Sequence, residues 1–255
     1  MTLRILCLPF YLLLQLPAVL MAGELDPAQE KWFEKYSKQE NAPDPAEQLL
    51  NTDPEPDLSA DGFVPLFNGT DLAGWTPLGG DCTFEVEGGE IVGSCVPGSP
   101  STYLSTDRTD FADFVFTCEV RWEVDGNTGI MFRAKTRPHP KNEGQLEVYG
   151  PQAEMEDEGK PGRGWSGGIY GQSCGGYWYP VWLTDHAEAR AAKKVEGWNR
   201  ITIECRGEVM KTWLNGVPVG HLVNGEYLEG FFGLQIHSGK QGKVRFRDLR
   251  VMELE

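Results

Sequence analysis

From Gly62 onward the chain is written in short runs of alternating apolar and polar residues punctuated by glycine, the clearest being FVFTCEVRW at 114–122. Successive side chains of an extended strand point to opposite faces, so Phe114, Phe116, Cys118, Val120 and Trp122 form one inward row. NTGIMFR at 127–133 sets Ile130 and Phe132 against Met131 and Arg133, and GLQIH at 233–237 sets Leu234 and Ile236 against Gln235 and His237. ITIEC at 201–205 alternates again, MKTWL runs into Asn215-Gly216, a strong hairpin signal, and a last strand is expected over 244–251. Helical periodicity is confined to a short stretch near 184–194. Such text predicts an all-β sandwich or barrel. With 255 residues, 40% of them hydrophobic, the chain has the material for one large β domain or two small ones.

The residues ahead of this run are of two kinds. Residues 1–22 are largely apolar after Arg4 and end in the small residue Ala22, which reads as a secretory signal peptide; Pro9, Gln15 and Pro17 argue against a stable membrane span. Residues 23–61 are acidic and rich in proline and are read as a mobile linker, with a short helix near 28–38 carrying Trp32, Phe33 and Tyr36 on one side. The domain then occupies 62–255. Export predicts a periplasmic or secreted protein, free of the membrane after signal cleavage. A net charge of -15 with no basic cluster argues against nucleic acid as a partner.

An exported chain permits disulfides, and one follows from register. In DCTFEVEGGEIVGSC the pair Gly88-Gly89 suits a two-residue primed turn, which pairs Glu87 with Glu90, Val86 with Ile91 and, at the open end, Cys82 with Cys95. That last pair falls on a non-hydrogen-bonded position, within disulfide reach, so a Cys82–Cys95 bridge is expected. Cys118 and Cys205 are either a second bridge or core thiols, and Cys174 is left over. No CxxC pair points to structural zinc.

Residues 150–170, GPQAEMEDEGKPGRGWSGGIY, place Gln152, Glu154 and Glu156 on one strand face and Ala153 and Met155 on the other. Taken alone, the polar set reads as a solvated face. Polar residues opposite an apolar set recur, however, at Arg133 and at Gln235 and His237, so three strands can present polar groups to one sheet face. Glu156 lies roughly 7 Å from Glu154 by strand rise, near enough to raise its pKa by like-charge repulsion if both are enclosed.

Nine segments, in order, resemble the 3-keto-disaccharide hydrolase domain family: GFVPLFNGTDLAGW, FEVEGGEIVG, NTGIMFR, GPQAEME, WSGGIYG, GWNRITIECRG, KTWLNGVPV, GFFGLQIHSG and VRFRDLRVMEL. The resemblance covers 62–255. It implies a concanavalin-like jelly-roll sandwich of two antiparallel sheets with a ligand cleft, and action on glycosides already oxidised to a ketone at sugar carbon 3. Matched residue by residue, the family's carboxylate strand falls on Gln152-Ala153-Glu154, its Asn-Ser-Gly run on Asn127-Thr128-Gly129 followed by Arg133, and its Leu-Gln-x-His segment on 234–237. The turn before the aromatic strand falls on 165–170. Thr128 stands where the family has serine. Family members differ in which position of the strand carries the acid, so Glu147 and Glu156 compete with Glu154.

A ketone at carbon 3 acidifies the proton on carbon 2, so the glycosidic bond can leave by elimination and water can then add back. Such a site needs a base, a donor or cation for the enolate oxygen, and an acid for the leaving group. The expected catalytic residues are Glu154 as base, Arg133 at the developing charge and His237 as acid or base near neutral pH. Asn127, Gln152, Glu156, Trp165, Tyr170, Trp178 and Gln235 are the expected substrate-binding residues, the aromatics as sugar platforms. No cofactor is required; a divalent cation on Glu154, Glu156 or Asp157 is an alternative electrophile. The expected partner is a small oligosaccharide or glycoside. The competing reading is a noncatalytic lectin-like module, since the same sandwich hosts both.

Overall fold

The computed structural model describes residues 23–141 and 143–255. The signal-like residues 1–22 lie outside them. In chain order the strands are β1 (Val64–Pro65), β2 (Trp75–Leu78), β3 (Thr83–Glu87), β4 (Glu90–Ser94), β5 (Thr102–Thr106), β6 (Phe114–Val124), β7 (Thr128–Pro138), β8 (Leu146–Met155), β9 (Ile169–Gln172), β10 (Gly176–Tyr179), β11 (Asn199–Arg206), β12 (Val209–Leu214), β13 (Val217–Val223), β14 (Phe231–Ile236) and β15 (Lys243–Glu253). One sheet runs β13-β12-β11-β6-β15-β4-β3 with β1 paired to β15, the other β10-β9-β8-β7-β14-β5-β2. All these ladders are antiparallel, and the two sheets stack as a concanavalin-like jelly roll.

The alternation of β6 does what its period requires. Phe114, Phe116, Cys118 and Val120 are fully buried and meet Ile130 and Phe132 of β7 and Leu234 and Ile236 of β14 in one core. The Phe116 and Phe232 rings stack with centroids 4.5 Å apart. Trp122, at the strand's end, is only half-buried and donates from its indole nitrogen to the Gly126 carbonyl at 2.7 Å. Cys118 and Cys205 are core thiols, not a second bridge. The Asn215-Gly216 turn joins β12 to β13 with φ of 54° and 88°, the left-handed pair a primed turn needs.

The second primed turn, at Gly88-Gly89, sets Glu87 opposite Glu90 and Val86 opposite Ile91 as the register predicts, out to Thr83 opposite Ser94. The expected Cys82–Cys95 bridge is nevertheless not formed, and both residues are free thiols. Beyond Thr83 the ladder ends: the Cys82 N–H turns to the Thr102 hydroxyl at 2.9 Å and the Cys95 N–H to the Gly242 carbonyl at 2.8 Å, while the two thiols stay within hydrogen-bond reach of each other.

Residues 23–61 are not a free linker but a strap folded against the sandwich. Two of the prolines read as linker text start helical turns: Asp26-Pro27-Ala28 and Asp44-Pro45-Ala46 each use the aspartate side chain to accept from the alanine N–H, with proline at the first position, where no donor is needed. Between them runs helix α1 (Glu30–Tyr36). The strap bonds backbone to backbone with 182–184 and sends Gln48 to the Pro180 carbonyl and Asn51 to the Thr212 carbonyl. Phe33 packs edge-on against Trp182. A second short helix, α2 (Ala187–Ala191), sits in the predicted 184–194 stretch. No described helix is long and apolar enough to cross a membrane.

Arg133 departs from its expected face. The register of β7 shifts between Met131 and Lys135, and Arg133 takes a φ of 45°, so the strand bulges and parity no longer says where the side chain points. The fully buried guanidinium donates to the carbonyls of Ala112 (2.8 Å), Gly207 (2.7 Å) and Tyr227 (3.0 Å) and to the Asp113 carboxylate (3.0 Å). It pins loops together and belongs to no ligand site.

Candidate functional site

Ala153 and Met155 of β8 point into the core, which turns Gln152 and Glu154 to the outer face of the seven-stranded sheet. A cleft of about 530 Å³ opens there. Gln152 and Glu154 of β8, Tyr170 and Gln172 of β9, Tyr177 of β10 and Gln235 of β14 form its floor; its walls come from 125–127, from Asp157, Lys160 and Arg163 in the turn after β8, and from 237–241. Tyr36 and Gln39 of the strap close one side.

The floor is an ordered line of amides. Gln152 donates from Nε2 to Gln235 Oε1 at 2.6 Å, and Gln235 donates from Nε2 to the Tyr103 hydroxyl at 3.2 Å. Gln152 can lie flat only because the residue diagonal to it on β7, opposite Glu154, is Gly129, where a Cβ would fall 2.0 Å from Gln152 Nε2. Thr128, in place of the family's serine, donates its hydroxyl to the Gln235 carbonyl and ties β7 to β14.

Glu154 is 5% exposed and accepts from Asn127 Nδ2 at 2.7 Å. Burial first, and the Glu156 charge second, push its pKa up to about 7, against the hydrogen bond from Asn127 and the charges of Arg163 and Lys160. Its two competitors point elsewhere. Glu147 accepts from Arg137 at 2.6 Å outside the cleft. Glu156 lies just past the end of β8, with one oxygen held by Arg163 Nε and the other by the Trp165 N–H at 2.9 Å.

Sequence reasoning missed Arg163. It sits in the turn text KPGRGW, which has no periodicity to aim a side chain. The turn is fixed to β8 by Glu154 N–H to Gly168 O and Gly167 N–H to Glu154 O, and Glu156 N–H reaches the Ser166 hydroxyl. Arg163 is 1% exposed. Its Nη1 donates to the Tyr36 hydroxyl at 3.0 Å, while its Nη2 has no hydrogen-bond partner and stands 3.9 Å from Glu154 Oε1. A buried donor without a partner costs about 1–3 kcal/mol, more when charged, and Nη2 carries that cost beside the cleft.

Of the other expected residues, Asn127, Gln152, Tyr170, Gln235 and His237 line the cleft. His237 is exposed on the rim, with Nδ1 2.6 Å from the Ser238 carbonyl, so that nitrogen carries a proton. Trp165 and Trp178 do not line the cleft: Trp165 is buried beneath it, donating to Gln29 Oε1 at 2.8 Å, and Trp178 lies over Gly171 and donates to the Cys174 carbonyl at 3.2 Å. The aromatic side chains that line the cleft are Tyr36, Tyr170 and Tyr177. Of the three carboxylates named for a divalent cation, Glu154 and Asp157 line the cleft, while both Glu156 oxygens are engaged by Arg163 and Trp165. Among the described residues no three His, Cys, Asp or Glu side chains group as metal ligands.

The family described as the 3-keto-alpha-glucoside-1,2-lyase-like domain matches residues 62–252, the whole run of strands that builds the cleft floor. The chain belongs to this family. As a 3-keto-alpha-glucoside-1,2-lyase-like protein it has a carbohydrate-related function. Among solved structures, a candidate glycosyl hydrolase from Parabacteroides distasonis matches with a TM-score of 0.53 at 21% identity, covering 80% of this chain and 100% of that one, and shares the fold. A second candidate glycosyl hydrolase from the same organism gives 0.44 at 18% identity, covering 75% and 99%. A Bacillus subtilis protein with a galectin-like fold gives 0.48 at 13% identity, covering 75% and 94%. No curated protein matches the chain.

Proposed function

We propose that the protein cleaves glycosides whose sugar carries a ketone at carbon 3, by elimination followed by hydration. The observation that carries this reading is the pairing of a buried carboxyl titrating near neutrality, Glu154, with a buried cation whose Nη2 is unpaired, Arg163. A general base works best with a pKa near the working pH. In this reading Glu154 takes the proton from carbon 2 while Arg163 Nη2 holds the carbon-3 oxygen as negative charge moves onto it. The carbon 1–oxygen bond then breaks, a carbon 1–carbon 2 double bond forms, and the departing oxygen takes up a proton. His237, on the rim and carrying a second proton on Nε2 at this step, is the donor of that proton. Water adds in the reverse sense, its oxygen to carbon 1 and a proton returning to carbon 2, so the net change is hydrolysis. Gln152, Gln235 and Asn127 supply hydrogen bonds to the sugar, and Tyr170 and Tyr177 its apolar faces. Arg163 takes the place that sequence reasoning gave to Arg133. No metal or cofactor is used in these steps.

The test is direct: incubation with a 3-keto-disaccharide and with the same sugar unoxidised, following released monosaccharide. Release from the keto sugar alone supports the reading. Binding of both without release would make the protein a sugar-binding module instead. We place the protein in the periplasm or outside the cell, on residues 1–22; a mature chain that begins near Gly23 is expected on N-terminal sequencing, and one that keeps those residues would overturn it.

A further inference from the structure

The matched family domain begins at residue 62, yet two residues before it line the cleft. Tyr36, the last residue of α1, accepts from Arg163 Nη1 at 3.0 Å. The Arg163 guanidinium lies among four rings, with centroids at 5.0 Å (Trp165), 5.1 Å (Tyr177), 5.5 Å (Tyr36) and 5.8 Å (Trp32), so the strap supplies half of its aromatic cage. Gln39 accepts from the Tyr177 N–H at 2.8 Å, which fixes its amide. Gly176 permits that approach, since a Cβ there would meet Gln39 Oε1 at 2.2 Å.

We propose that the strap ahead of the family domain completes the reaction centre, with Tyr36 positioning Arg163 and Gln39 giving a hydrogen-bond donor to the bound sugar. Three observations meet here. First, Arg163 has two engaged nitrogens, Nε on Glu156 and Nη1 on Tyr36, and the plane they fix is what leaves Nη2 unpaired. Without the Tyr36 hydroxyl the fork is held at one corner, and Nη2 is free to turn toward Glu154 Oε1, now 3.9 Å away. Second, a phenol oxygen that accepts one bond keeps its own proton to donate, and Tyr36 lines the cleft. Third, an amide whose oxygen is taken presents its NH₂, so Gln39 offers a donor, which an oxygen-rich ligand accepts. The ligand class is a polyol with a carbonyl or anionic oxygen at Arg163. The assignment of Tyr36 rests on the role given to Arg163 above, and the experiment separates the two.

In the full chain, Tyr36→Phe removes the hydroxyl and keeps the ring, and Gln39→Glu keeps the oxygen that accepts from Tyr177 while removing the donor. With turnover abolished by Glu154→Gln, each change is expected to raise the calorimetric Kd for a 3-keto-disaccharide by about five- to tenfold, the size of one hydrogen bond. With Glu154 intact, Tyr36→Phe should lower kcat by about tenfold or more on top of a rise in KM no larger than the rise in Kd, since part of its effect runs through a group that acts in the transition state. Arg163→Lys and Arg163→Lys with Tyr36→Phe should then be equally slow, because the two residues act as one unit. The thermal midpoint should fall by only a few degrees in both single variants, the cost of one buried hydrogen bond. Unchanged Kd in both, or a parent that binds no keto sugar, overturns the proposal. A wild type that binds without turning over, with both variants binding more weakly, upholds the strap and defeats the enzymatic reading.

Discussion

The Glu154 carboxyl and the Arg163 guanidinium stand 3.9 Å apart with no hydrogen bond between them. A direct forked pair would hold the Glu154 carboxyl well below the usual carboxylate range. Here the cation is committed to Glu156 and Tyr36 instead, so burial and the Glu156 charge prevail and Glu154 titrates at about 7. The site keeps a base near neutrality and an electrophile beside it without letting them neutralise each other.

Glu154→Gln tests the base and its burial together. Loss of a positioned general base is expected to lower kcat by about a hundredfold or more. In the wild type the ionised form of the base is the active one, so the acidic limb of kcat/KM should climb as pH rises through about 7, the proton donor to the departing oxygen setting a separate alkaline limb. The stability effect has the opposite sense: the folded pKa of about 7 exceeds the ordinary 4.5, the native state holds the proton more tightly than the unfolded chain, and stability falls as pH rises through that window. The glutamine variant escapes this loss. Its thermal midpoint should exceed that of the wild type at pH 8, by an amount worth up to roughly 3 kcal/mol, and the gap should close below about pH 4.

Glu156→Gln should move the acidic limb of that pH profile downward. The variant removes the like charge that raises Glu154 and releases Arg163 to act on it, and both changes favour the carboxylate. The same substitution leaves the buried Arg163 without its carboxylate partner, which is expected to cost about 3 kcal/mol in a urea melt. A profile that stays at its wild-type position would mean that Glu154 does not feel Glu156.

Arg133 is expected to matter for folding alone. Arg133→Lys cannot reproduce a fork that reaches three carbonyls and Asp113, so unfolding free energy should fall by about 3 kcal/mol or more. Turnover per folded molecule should remain within about twofold of the wild type on a kcat measurement at low temperature, where the folded fraction is high. Unaltered stability with abolished turnover would place Arg133 in the reaction after all.

What the sequence disclosed follows the reach of its periodicity. Period two turned Phe114, Phe116, Cys118 and Val120 inward and Gln152 and Glu154 to the other face, and Gly88-Gly89 and Asn215-Gly216 set two hairpins, because strand pleat and left-handed turn residues are local properties. The ordered motifs extended this to Asn127, Gln235 and His237, which line the same cleft. Local rules stop where the chain leaves the ladder. A bulge at Arg133 carried it off the expected face, and past the end of the ladder at Thr83 Cys82 and Cys95 are neighbouring free thiols in spite of a correct register. Arg163, Tyr36 and Gln39 lie in turn and strap text, and their meeting depends on contacts more than a hundred residues apart in sequence, which no period encodes.

Gly129→Ala isolates the amide floor from the acid and the cation. Gly129 does not require a left-handed backbone, so alanine meets no conformational barrier there and the consequence is steric. An added Cβ would lie 2.0 Å from Gln152 Nε2 and within 3 Å of its Cδ and Cγ, and only a flexible side chain stands in the way. Gln152 is therefore expected to swing off, breaking its 2.6 Å bond to Gln235 and loosening the Gln235 donation to Tyr103. Binding should suffer before chemistry: KM for a 3-keto-disaccharide should rise by about five- to tenfold, kcat should change by less than about threefold, and the thermal midpoint should fall by only a few degrees, or about 1 kcal/mol. A fall in kcat at unchanged KM would instead place Gln152 among the groups that act on the transition state.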